Sequence, residues 1–260
     1  MCKTCGCDQA KRPDHHDHPH THRHGPDGHH EHPHDHPHDD HQRATRVVPV
    51  GERILAVNDA DAGRNRRWLT ERGIVALNLV SSPGTGKTRL LEKTLDMLRG
   101  TLQCAVITGD LRTDNDARRL MNRGAPVRQI QTNDACHLSA AQVGALLPEV
   151  ASDGVRLLFI ENVGNLVCPA AFDLGEHFKV ALLSTTEGED KPLKYPTVFS
   201  QAPVVVLTKM DLAPHIEWDG AACRANLRKV RPGVFVFEVS ARTGAGMDAW
   251  IAYLRSLVEV

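Results

Sequence analysis

The segment Ser81-Ser82-Pro83-Gly84-Thr85-Gly86-Lys87-Thr88 lies between a short apolar run and a stretch with helical spacing. Its residue types suit the binding of a phosphate chain. Gly84 and Gly86 let the backbone turn its N–H groups toward anionic oxygens, and the N-terminus of the following helix adds partial positive charge. Lys87 is placed to reach β- and γ-phosphates and the Thr88 hydroxyl to ligate Mg²⁺, with Pro83, Thr85 and Arg89 beside them. Loops of this kind usually begin with glycine, where this chain has Ser81. A glycine-rich turn that merely starts a helix is the plainer reading, and an intact Gly86-Lys87-Thr88 between strand and helix speaks against it.

A second pattern bears on the base. Val204-Val-Val-Leu-Thr208-Lys209-Met210-Asp211 is an apolar run ending in T-K-x-D, close to the N-K-x-D guanine signature. A carboxylate at Asp211 can accept from both N1–H and the exocyclic amine of guanine, whereas adenine would leave it unpaired. The stem of Lys209 can lie along the base. Ser240-Ala241-Arg-Thr-Gly244, after the last apolar run, resembles a loop whose backbone N–H contacts guanine O6. T-K-x-D alone says little; with the second loop at the right position, it specifies GTP.

Two acidic positions are candidates for the metal and the hydrolytic water. Glu161-Asn-Val-Gly164 closes another apolar run and resembles D-x-x-G, with glutamate for aspartate. There Glu161 would hold Mg²⁺ through a water and the Gly164 N–H would sense the γ-phosphate, unless Glu161 is simply a solvated strand end. Asp110 is the candidate switch carboxylate. Thr113-x-x-Asp116 just after it reads as a capping box, so acids here can also serve only to start a helix. Asp110 is favoured over Asp114 and Asp116 because it lies at the end of a predicted strand.

Three further groups suit metals. Cys2, Cys5 and Cys7 place three thiols within six positions, and C-x-x-C-x-C can wrap one ion. Three thiolates and the terminal amine suit square-planar Ni²⁺, Zn²⁺ competes for the same ligands, and a redox pair is the alternative. Of the 16 histidines, 13 lie between His15 and His41, among Asp and Pro. That tract reads as a reservoir for several divalent ions rather than one defined site. Cys136, His137 and Cys168 follow apolar runs whose ends a parallel sheet would bring together beside the γ-phosphate. They form either a metal site or three unrelated side chains. Cys104 and Cys223 read as inert thiols.

Positioning these groups takes alternating strands and helices. Apolar runs at 73–80, 103–108, 155–160, 178–183, 204–207 and 234–239 predict buried strands, and Leu91, Leu95 and Leu98 share a helical face. Met247, Trp250, Ile251, Leu254 and Val258 outline a last helix, and residues 44–72 predict one or two more. Such alternation implies an α/β domain, a mostly parallel sheet covered by helices on both faces, with ligands beyond the carboxyl ends of the strands. Residues 1–7 form the cysteine motif, 8–43 a His-rich tract too poor in apolar residues to fold, and 44–260 a single globular domain. Residues 1–43 hold 5 Lys/Arg against 8 Asp/Glu and the remainder 26 against 24, which argues against a nucleic-acid partner. No apolar stretch approaches a membrane span or a signal peptide, so a cytoplasmic location is expected, with thiols rather than disulfides.

Taken together, MCKTCGC, the His tract, SSPGTGKT, GDLRTDNDARRL, NDACHL, ENVGNLVCP, TEGEDKPLKYP and TKMDL resemble the hydrogenase maturation GTPases of the HypB family over essentially the whole chain. Ser81 belongs to that pattern. The resemblance implies the P-loop NTPase fold of the dimer-forming metallochaperone class and a GTP-dependent homodimer. It also implies two partners, the maturation factor HypA and the large subunit of a [NiFe] hydrogenase. It implies Cys2, Cys5 and Cys7 as nickel ligands and Cys136, His137 and Cys168 as a Ni²⁺ or Zn²⁺ site. Residues 187–194 would lie at the nucleotide side of the dimer interface. With no catalytic glutamine or arginine finger in view, intrinsic turnover is expected to be slow, on the order of 10⁻³ s⁻¹. A urease-type nickel accessory GTPase and a nickel storage protein are the alternatives.

Overall fold

The computed structural model describes residues 50–110, 115–132 and 136–259. Cys2, Cys5, Cys7 and the His-rich tract at 8–43 lie outside the described residues, as do 111–114, and with them Asp114 and Thr113 of the candidate capping box. The described residues open with a single 22-residue helix, α1 (Val50–Glu71), where the sequence predicts one or two. Seven strands follow: β1 (Val75–Val80), β2 (Cys104–Asp110), β3 (Val127–Gln131), β4 (Leu157–Glu161), β5 (Phe178–Ser184), β6 (Val204–Thr208) and β7 (Phe235–Glu238). Interleaved with them are α2 (Lys87–Leu98), α3 (Asn115–Leu120), α4 (Ala140–Val150), α5 (Cys168–Ala171), α6 (Lys191–Lys194), α7 (Pro196–Gln201), α8 (Gly220–Val230) and α9 (Met247–Ser256).

The strands form one sheet in the order β3-β2-β4-β1-β5-β6-β7, and every pairing is parallel. Six of the seven match the apolar runs of the sequence. β3 does not, because only two of its five residues are apolar: it is an edge strand, buried at Val127 on one face and Ile130 on the other and open to solvent at Arg128 and Gln131.

Alternation along the strands divides the core between two faces. Leu77 and Leu79 of β1 point toward α2, α3 and α9, where they join Leu90, Leu91, Leu95, Trp250 and Leu254. Ala76 points to the opposite face and packs with Leu69 of α1 and Val143 and Leu147 of α4. On that same face Val80, Leu183 and Val205 pack with Phe199 and Leu227 of α7 and α8. Trp250, only 1% exposed, fills the space between α9 and α2, and its indole N–H donates to Thr94 Oγ1 at 3.1 Å. Helices on both faces leave the carboxyl ends of the strands as the open edge. Among the described residues no helix is long and apolar enough to cross a membrane.

Candidate nucleotide and metal site

At the carboxyl end of β1 the chain turns through Ser81–Gly86 into α2. The turn needs left-handed backbone at Gly84 (φ 73°) and Gly86 (φ 102°), a conformation that glycine adopts without a Cβ clash. Pro83, Gly84, Gly86, Lys87, Thr88 and Arg89 line a cavity of about 440 Å³, closed on its other side by Gly109, Arg119 and Glu161–Gly164. Lys87 Nζ donates to Ser81 Oγ at 2.9 Å, so the serine at the first position of the loop holds the lysine. Thr88 Oγ1 donates to Glu161 Oε1 at 2.7 Å, and Glu161 is only 2% exposed. A hydroxyl and a buried carboxylate so close are hard oxygen donors of the kind Mg²⁺ takes. Asp110 ends β2, directly after Gly109 of the cavity wall; its side chain lies outside the described residues.

A smaller cavity of about 220 Å³ adjoins the first. Gly86 and Arg89 line both, and Thr85, Lys209, Asp211 and Ala241 line the smaller one, with Leu90, Leu212 and Val239 supplying apolar walls. Lys209 is in the left-handed region at φ 57°, unusual for a side-chain-bearing residue; it starts the turn at 210–215, and its carbonyl accepts from Thr185 Oγ1 at 3.1 Å. Ser240 Oγ donates to Asp211 Oδ1 at 2.6 Å and Arg242 Nη1 to Oδ2 at 3.5 Å. The Ser240 hydrogen bond, aided by the Arg242 charge, holds the Asp211 carboxyl below the usual carboxylate range, so it is ionised and able to accept. Thr208 Oγ1 donates to the Thr85 carbonyl at 2.7 Å, tying the end of β6 to the phosphate loop. A flat apolar slot with a carboxylate at its end suits a purine that presents two donors.

Glu187 opens the 187–194 segment, and nothing in its sequence context assigns it to the phosphate loop. Its Oε1 accepts from Thr85 Oγ1 at 2.6 Å and from the Ser184 N–H at 3.1 Å, and Lys191 lies 3.5 Å from its Oε2. The 187–194 segment therefore starts against the phosphate loop. Lys194 pairs with Asp190 at 2.6 Å on the surface.

Cys136, His137 and Cys168 meet. Their ligand atoms lie within 4.8 Å of one another, and Cys136 Sγ is 3.7 Å from His137 Nδ1. Two thiols and an imidazole are three of the four ligands of a tetrahedral Zn²⁺ site and equally serve Ni²⁺. Burial depresses the His137 pKa, favouring the neutral, metal-binding imidazole, and the ring stacks on Phe172 at 3.8 Å. The two arms of the cluster are fastened from behind by α1. Asn58 donates to the Asp173 carbonyl at 2.7 Å and accepts from Ala140 N–H at 2.9 Å; Asn65 donates to the carbonyls of Ala140 at 2.7 Å and Leu174 at 3.0 Å. Cys104 and Cys223, by contrast, are buried, and burial pushes each thiol up to about 12.

One short stretch joins cavity and cluster. Glu161 and Gly164 line the phosphate cavity; the Asn165 amide donates to the Cys136 carbonyl at 3.4 Å; Cys168 opens α5 three residues on. A Cβ on Gly164 would stand 2.9 Å from Pro83 Cα, so this loop rests directly on the phosphate loop.

Residues 75–238 match the family model described as CobW/HypB/UreG, nucleotide-binding domain. The hydrogenase maturation factor HypB of Rhizobium leguminosarum bv. viciae is 51% identical over 209 residues, covering 80% of this chain and 70% of that one. The crystal structure of HypB from Archaeoglobus fulgidus superposes with a TM-score of 0.74 at 35% identity, over 79% of this chain and all of that one. A crystal structure of HypB from Helicobacter pylori in complex with nickel gives a TM-score of 0.73 at 35% identity, over 78% of this chain and 95% of that one. With a matched nucleotide-binding domain, a phosphate loop at its centre and relatives of this likeness, the chain belongs to the HypB family of hydrogenase maturation GTPases.

Proposed function

We propose that the chain is a nickel carrier governed by GTP, which assists insertion of Ni²⁺ into the large subunit of a [NiFe] hydrogenase. In this reading Pro83–Arg89 would cradle the phosphates, and Thr88 and Glu161 would hold a Mg²⁺ that offsets phosphate charge. Asp110 borders the attacking water, and Lys209, Asp211, Ser240 and Ala241 select guanine. Cys136, His137 and Cys168 carry Ni²⁺, or Zn²⁺ as its competitor, and Cys2, Cys5 and Cys7 with the tract at 8–43 gather nickel ahead of them. The protein works in the cytoplasm with HypA as partner, as a homodimer formed with GTP through the 187–194 segment.

The observation that carries the reading is the 161–168 stretch. Its first residues wall the phosphate cavity and its last is a ligand of the cluster, with Asn165 holding the other cysteine's backbone between them. Occupancy of the γ-phosphate position can therefore alter the spacing of the two thiols without any longer relay. In the mechanism Lys87 and the loop N–H groups stabilise charge on the phosphates, and Gly164 N–H reports the γ-phosphate. Hydrolysis releases the loop, the cysteines separate, and the cargo ion passes on.

The test is a Ni²⁺ titration of the chain from residue 44 onward, with and without a non-hydrolysable GTP analogue. The A. fulgidus relative, spanned in full by 79% of this chain, supports the use of this domain alone. A shift of Ni²⁺ affinity with the analogue, lost in Cys136→Ala and Cys168→Ala, supports the reading. An affinity indifferent to nucleotide in the wild type refutes the coupling.

A further inference from the structure

Among the described residues three cations line the phosphate cavity: Lys87, Arg89 and Arg119. The first two come with the phosphate loop and the start of α2. Arg119 comes from α3, a separate element anchored by Ala117 and Leu120, both buried in the core beneath α2. That anchorage turns Arg119 toward α2, where Glu92 waits, only 4% exposed. Arg119 Nε donates to Glu92 Oε1 at 3.2 Å and Nη2 to Oε2 at 2.9 Å, a two-point hold that fixes the plane of the guanidinium. Arg89 Nη1 donates to the same Oε2 at 3.0 Å, and Arg123 Nη2 to Oε1 at 3.2 Å. Three guanidiniums thus converge on one buried carboxylate, and two of them, Arg89 and Arg119, also line the cavity. Burial alone would raise the Glu92 pKa, but the hydrogen bonds from Arg119 and Arg89, together with the charges of Arg119 and Arg123, hold it below the usual value.

We propose that Arg119 is a phosphate-binding residue supplied from within the same chain, with Glu92 holding its guanidinium at the cavity wall. The inference rests on the reading of this cavity as the GTP site. Arg89 borders both cavities and so belongs at the α-phosphate, where nucleoside and phosphate chain meet. Arg119 lines the phosphate cavity alone and acts on the β- and γ-phosphates. A competing account makes Arg119 an ion pair that merely pins α3 to α2. Arg123 is the internal control: it shares the Glu92 carboxylate and also pairs with Asp96, yet it does not line the cavity.

The experiment titrates the full chain with GDP and a non-hydrolysable GTP analogue in Mg²⁺, comparing wild type, Arg119→Ala, Arg119→Gln and Arg123→Ala, with thermal unfolding of each alongside. Arg119→Ala is expected to weaken both nucleotides by roughly tenfold or more, the loss of a charge-assisted phosphate contact. Arg123→Ala is expected to bind both like the wild type. Folded Arg119→Ala protein that binds as tightly as Arg123→Ala overturns the inference. If Arg119→Ala fails to fold, Arg119→Gln decides: it keeps a donor for Glu92 but no charge, and wild-type affinity there overturns the inference equally. A wild type that binds neither nucleotide overturns the GTP reading itself, a result distinct from the others.

Discussion

Gly164→Ala probes the seam between the phosphate loop and the metal loop. The added Cβ would lie 2.9 Å from Pro83 Cα, 3.1 Å from Pro83 N and 3.1 Å from Pro83 Cγ. Unstrained carbon contacts run at about 3.5–4.0 Å, so one loop must withdraw by roughly half an ångström. Two of the three clashing atoms are backbone, so no side-chain rotation relieves them. Overpacking of this kind costs about 1–3 kcal/mol, which in a domain of this size lowers the melting temperature by on the order of 5 °C. Whichever loop withdraws carries a wall of the phosphate cavity with it, so affinity for a GTP analogue falls as well. Differential scanning calorimetry and an analogue titration on the same preparation read both effects. A variant that melts and binds like the wild type would refute the reasoning, because the two loops would then have slack that their packing denies.

Thr208→Val removes the 2.7 Å bond to the Thr85 carbonyl while keeping the shape of the side chain. Leaving that buried acceptor unpaired costs about 1–3 kcal/mol, read as a lower unfolding midpoint in denaturant. In the chain from residue 44 onward, Cys168→Ser is expected to lose one equivalent of bound Ni²⁺. Cys223→Ser, whose parent thiol is buried and pushed up to about 12, keeps it; equal metal binding by the two variants would disprove the cluster. Glu92 has a folded-state pKa below its ordinary value, so its contribution to stability is complete above the ordinary glutamate pKa and lost as pH falls through the folded one. Glu92→Gln should therefore flatten the acid limb of a stability-versus-pH curve, and an unchanged limb would contradict this. Gly63→Ala, mid-way along α1 with only Arg67 Nη1 at 3.8 Å from the new Cβ, should raise the melting temperature by about 2–4 °C through helix propensity; a fall would mean unseen crowding.

Local chemistry explains why so much of the nucleotide site is legible in the sequence. The phosphate loop is contiguous, and its glycines, lysine and threonine are dictated by the phosphate chain that they would face. Buried parallel strands are apolar on both faces, so β1, β2, β4, β5 and β6 stand out as runs; β7, the other edge strand, stands out only because Phe235, Val236 and Phe237 are apolar, and α9 stands out by its period. β3 escapes because an edge strand needs to bury only Val127 and Ile130.

Long-range positions were decided only by the tertiary structure. Cys136-His137 and Cys168 are far apart in the chain, and residue type alone left them as either a site or three unrelated side chains. They meet because β3, which precedes Cys136, and β4, which precedes Cys168, flank β2 in one parallel sheet, and because Asn58 and Asn65 of α1 hold both arms from behind. Neither asparagine announces this in sequence, since an amide between two loops has no periodic signature. Glu187 and Arg119 are the same case. Each reaches the phosphate loop or its cavity across the packing of separate elements, and the identity of an isolated Glu or Arg carries no trace of its distant partner. Sequence by itself determined six of the seven strands, the nucleotide and the candidate ligands. Only the folded chain decided which of them touch, because contact between distant segments is a property of sheet order and helix packing rather than of any one segment.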